Sequence, residues 1–106
     1  MKFSVRIVKL CQTLDRQDSS SRTLAKQLLR SGTSFGANVE EAVAAQSKLD
    51  FISNQNIALK EARETHDWLR LLVAADVVAE SKLNELIQES NELVAILTTL
   101  VRNVRS

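Results

Sequence analysis

The chain has 106 residues and a net charge of +1, with 14 Lys and Arg against 13 Asp and Glu, so length indicates one domain and charge shows no overall bias toward an acidic or basic partner. Proline and tyrosine are absent and only two glycines occur, which excludes a turn-rich all-β architecture and leaves a helical one. A single cysteine, Cys11, excludes an internal disulfide, and no apolar run approaches the roughly 18 residues needed to cross a bilayer.

The first segment places Phe3, Ile7, Leu10, Cys11 and Leu14 at steps of three and four, one face of an amphipathic helix ending near Arg16. Lys2, Arg6 and Lys9 interrupt its apolar residues, so it does not read as a signal peptide, and the expected location is the cytoplasm. The polar stretch from Gln17 to Ser21 offers several N-cap side chains, after which a stripe of Ala25, Leu28, Gly32, Phe35, Val39 and Ala42 predicts a long second helix. Ser47, with Asp50 three residues on, resembles a capping box with Asp in place of Glu. It opens a third helix carrying Ile52, Leu59, Ala62, His66, Leu69 and Val73. A break around Asp76 to Ser81 precedes Leu83, Leu86, Ile87, Leu93, Leu97, Leu100 and Val104, a nearly unbroken heptad-like repeat and the fourth helix. Four helices joined by short loops predict one domain over residues 1–106, an all-α, antiparallel up-down bundle.

Gly32 and Gly36 lie one turn apart inside the second helix, where each costs about 1 kcal/mol relative to alanine. Such a strip predicts a close neighbour packed against it. The apolar stripes are also wider than one core requires: residues 68–75 are apolar nearly all round the helix, and Val94, Ile96 and Val101 fall off the main stripe of helix four. A domain this small buries only about two-thirds of its unfolded surface, so burial against further copies of itself is expected. Trp68 is then a core or interface anchor. Asn38, Glu41 and Glu64 accompany the glycine strip and the central turns of helix three, where interior positions are expected, with Arg30 or Arg63 as partners for the carboxylates.

The near-neutral total hides an asymmetric molecule. Residues 1–30 carry +5 and residues 31–101 carry −6. Lys2, Arg6 and Lys9 form a stripe on helix one and Arg22, Lys26 and Arg30 another on helix two, and the two stripes could present a single basic face. Two readings stay open: a solvated helix face, or a surface that binds phosphates through counterion release with little base discrimination. Catalysis lacks candidates. The sole histidine, His66, has Arg63 three residues before it in place of the Glu that a di-iron bundle needs, and Cys11 and His66 both fall on apolar stripes. No zinc-ligand set and no phosphate loop accompany them, so no metal, cofactor or enzymatic activity is expected.

The block Arg30 to Ala42 (RSGTSFGANVEEA), Asp50 to Ile52, and Ile57 to Leu72 (IALKEARETHDWLRLL) resemble the bacterial four-helix bundle proteins encoded in 23S ribosomal RNA intervening sequences. The resemblance covers nearly the whole chain. Its most specific parts are the Ser34 to Glu41 block, with Asn38 and Glu41, and the Ile57 to Leu72 block, with Glu64. It implies ring-like homopentamers and, through the related accessory proteins of diversity-generating retroelements, a reverse transcriptase and its RNA as partners. Gly36 stands where proline is frequent, Ala42 where glycine is frequent, and the net charge lies below that of the markedly basic RNA-binding branch. The resulting expectation is a non-catalytic, ring-forming bundle that binds RNA or another nucleic acid through its basic N-terminal face. The alternative is a protein-interaction scaffold or accessory subunit, for example to a reverse transcriptase.

Overall fold

The computed structural model describes residues 1–105, and they form four helices: α1 (Lys2–Leu14), α2 (Ser19–Val43), α3 (Lys48–Ala74) and α4 (Glu80–Arg105). Each boundary has a local cause. Past Leu14, α1 tightens into single turns, with Arg16 N–H donating to the Thr13 carbonyl and Gln17 N–H to that of Leu14. Of the polar stretch that follows, Asp18 is the cap: its backbone is extended and its carboxylate accepts from the Ser21 N–H at 2.8 Å. That bond holds the Asp18 carboxyl below the usual carboxylate range. Ser47 caps α3 in the same way, its Oγ accepting from the Asp50 N–H at 3.1 Å, while Asp50 places a negative charge in the first turn.

Helix α3 ends at Ala74, just before the break expected around Asp76, but the way it is closed was not legible in the sequence. Asp76 adopts a left-handed backbone (φ 58°), Val77 N–H reaches back to the Leu72 carbonyl and Asp76 N–H to that of Val73, both at 3.0 Å. This is a Schellman closure with aspartate in the position glycine usually takes. Val77 is thereby turned onto the core.

Short loops make each helix pack against its sequence neighbours, alternately up and down, in a body of 44 × 19 × 19 Å. Fully buried Ile7, Leu14, Leu28, Leu69, Leu72 and Leu83 form the centre. Phe3 and Phe35 meet edge to face at 5.8 Å. With 13 residues, α1 is half the length of the other helices, and its first residues lie beside Gly36, so the last turns of α2 run on past it. Val43 is accordingly 80% exposed.

The glycine strip is occupied from within the chain. A Cβ on Gly32 would stand 2.6 Å from Ile7 Cγ2, and one on Gly36 would stand 2.6 Å from Ser4 Oγ. The same approach lets Ser4 Oγ donate to the Gly32 carbonyl at 2.8 Å, so a buried hydroxyl is satisfied across the α1–α2 contact. The breadth of the apolar stripes is also largely absorbed within one chain. Val101 is buried and Val94 packs on the core, whereas Ile96 is 62% and Leu71 43% exposed.

Candidate nucleic-acid interface and the polar seams

All six cations of the two N-terminal stripes are exposed, but they do not share one face. Arg6 turns to α4, where its guanidinium meets Glu89 at 2.7 Å and Glu85 at 3.3 Å. Arg30 turns the other way, to α3, pairing with Glu61 at 3.1 Å and with Glu64. The expectation of a single continuous basic face therefore fails for these two arginines, because long guanidinium side chains reach acidic neighbours on the flanking helices. Lys2, Lys9, Arg22 and Lys26 make no ion pair among the described residues. The α1–α2 groove beside them, of about 360 Å³, is lined by Val8, Cys11, Gln12, Asp15, Ala25, Lys26 and Leu29 and is mainly apolar.

The second seam joins α2 and α3. A shallow groove of about 610 Å³ is lined by Arg30, Lys60, Arg63, Glu61, Glu64 and Asp67, three cations against three carboxylates. Glu61 is almost wholly buried, and Arg30 supplies its ion pair. Behind it Thr65, fully buried, lies 2.8 Å from the Glu61 carbonyl, to which it donates, and 2.9 Å from Ser31 Oγ. Glu64 is half-buried and held by Arg30, whereas Glu41, expected in the interior, is exposed. Asn38 is half-buried and bonds within its own helix, donating to the Ser34 carbonyl at 2.8 Å, so it ties no second helix. Trp68 packs against the core with its indole N–H buried and without an acceptor among the described residues. Helical spacing sets Arg30, Ser34, Asn38 and Glu41 along one line of α2, of which Arg30 reaches α3.

The third seam, between α3 and α4, was not anticipated as a unit. An open groove of about 530 Å³ is lined by His66, Arg70, Asn84, Ile87, Gln88 and Asn91. Fully buried Ser90 donates to the Ile87 carbonyl at 2.8 Å, and its Oγ is hydrogen-bonded to His66 Nδ1, also at 2.8 Å. The contact fixes the orientation of the imidazole ring between α3 and α4. The available sequence signal was the set Asn84, Gln88 and Asn91, three amides on one stripe of α4.

Cys11 is buried, and burial, reinforced by the Asp15 carboxylate, pushes its thiol up to about 11. The unfolded chain releases this proton near pH 9 and the folded chain near 11, so the unfolded state gains over that interval and stability falls as pH rises from 9 to 11. The loss is on the order of 2 kcal/mol. Urea unfolding at pH 8 and pH 10.5 is expected to show a steeper alkaline loss in the wild type than in Cys11→Ala; equal slopes would refute a shifted thiol.

Among the described residues no cluster of three or more His, Cys, Asp or Glu is placed to hold a metal ion, and no helix is long and apolar enough to cross a membrane. Fold and surface define a small four-helix bundle with charged and amide-lined seams. The chain belongs to the 23S rRNA-intervening sequence protein family, whose model matches residues 1–99. Its structure is similar, with a TM-score of 0.84, to the crystal structure of a protein of unknown function from the S23 ribosomal protein family of Bacteroides thetaiotaomicron. The two are 40% identical, and the match covers 95% of this chain and 89% of that one. No curated protein matches the chain.

Proposed function

We propose that this protein is a non-catalytic, cytoplasmic bundle that assembles as a ring-like homo-oligomer, a pentamer, and binds RNA through Lys2, Lys9, Arg22 and Lys26. The observation that carries the reading is that these four cations are exposed on α1 and α2 and form no salt bridge among the described residues, while Arg6 and Arg30 are engaged by carboxylates on the flanking helices. Repeated around a ring of five, four such charges per copy give about twenty, a belt for phosphates. Assembly draws on apolar side chains that the single chain leaves open. Leu29 (38% exposed) lines the α1–α2 groove, Met1 and Val5 (70% and 45%) stand open at the start of the chain, and Ile57 and Leu71 (42% and 43%) lie on α3.

These apolar residues also favour a second reading, an accessory subunit docking a partner protein such as a reverse transcriptase. A native mass spectrum of untagged protein separates the readings. Five subunits carrying nucleic acid are expected; five subunits without it favour the accessory subunit, and a bare monomer contradicts ring assembly.

A further inference from the structure

The amide-lined groove between α3 and α4 differs chemically from the other two seams. The α2–α3 groove balances its own charges and the α1–α2 groove contains Asp15, but none of the six side chains lining the α3–α4 groove is acidic. Its chemistry is laid out in layers. Half-buried Ile87 supplies an apolar surface between the two helices. Asn84, Gln88 and Asn91 follow one another at steps of four and three along α4 and bring both amide donors and amide acceptors. On α3, Arg70 adds a guanidinium one turn from His66. The imidazole is held in place by the buried Ser90 hydroxyl, so Nε2 is a preorganised hydrogen-bonding group.

A flat ring with apolar faces, mixed donor and acceptor edges and an attached anion matches this set, whereas a simple carboxylate or phosphate would leave the amide acceptors unused. We propose that the α3–α4 groove is a nucleotide-binding site. The base lies on Ile87, its edge hydrogen-bonds to the Asn84, Gln88 and Asn91 amides and to His66 Nε2, and its phosphate meets Arg70. The site stands on a different surface from the cations of α1 and α2, and it would give the protein base discrimination that those cations cannot supply.

The single histidine makes the groove directly observable. His66 imidazole resonances are to be followed by NMR at low salt while adenosine monophosphate, a ten-residue oligoadenylate and inorganic phosphate are titrated in turn. A saturable His66 shift with the mononucleotide, absent with phosphate, supports a site that takes free nucleotide; a shift with the oligomer alone supports a site that takes one nucleotide of a strand. The double variant Gln88→Ala, Asn91→Ala, at exposed positions that leave the fold intact, is expected to weaken either response about tenfold. An equal shift with inorganic phosphate overturns base recognition. An unmoved His66 with backbone signals of α1 and α2 moving overturns this site and leaves the α1–α2 reading standing, and no movement anywhere overturns both.

Discussion

Gly32→Leu is expected to abolish the native fold, and Gly32→Ala to weaken it. Alanine at a helical glycine normally gains about 1 kcal/mol through reduced backbone entropy. Here the added Cβ would fall 2.6 Å from Ile7 Cγ2 and 3.2 Å from Ile7 Cβ. Ile7 is branched at that carbon and fully buried, so it cannot swing aside as the end of a flexible side chain could. Overpacking of this kind costs about 1–3 kcal/mol, which outweighs the propensity gain for alanine. Leucine adds three further carbons at the same point and approaches the whole stability of a small domain, about 5–15 kcal/mol. Thermal unfolding followed by circular dichroism checks both substitutions. An unchanged midpoint for Gly32→Ala would show that α1 is free to move away from α2. A double-mutant cycle with Ile7→Ala adds a specific test, since the two changes should be less destabilising together than their sum by about 0.5–3 kcal/mol.

The second large effect concerns binding. Replacing Lys2, Lys9, Arg22 and Lys26 by glutamine is expected to lower affinity for single-stranded RNA roughly 100-fold and to flatten the salt dependence by about three units of log–log slope. Replacing Arg6 alone should change binding little, because its guanidinium is already engaged by Glu85 and Glu89. Filter binding across a salt series reads both quantities. Should the quadruple variant keep the full affinity and slope, the RNA contact lies elsewhere on the molecule. Subunit number, measured on the same samples, is expected to stay unchanged, which separates lost contacts from lost assembly.

Much of the fold was readable from local rules. Ser47 with Asp50 marked the start of α3, and the polar run after Arg16 marked that of α2, because an N-cap is an interaction between residues three apart in the chain. The break after α3 was also readable, but not its Schellman closure, since Asp76 is a residue type that does not announce a left-handed turn. The candidate sites were readable only as stripes. Exposure of all six N-terminal cations follows from helical period, but the departure of Arg6 to α4 and of Arg30 to α3 does not.

Buried polar positions mark the same boundary. Ser4, Ser31, Thr65 and Ser90 are small hydroxyl residues whose sequence neighbours give no reason to bury them. They are interior because each has found a carbonyl or a hydroxyl at close range, and all four also bond across to another helix. Sequence by itself determined four helices, most of their ends and the presence of a glycine strip needing a close neighbour, since periodicity, capping and the cost of helical glycine all act within a few turns of chain. Only the tertiary structure decided that α1 of the same chain fills the strip, that two arginines are neutralised and that an acid-free groove runs between α3 and α4. Those outcomes depend on how each helix is rotated and staggered against the next, which no local pattern specifies.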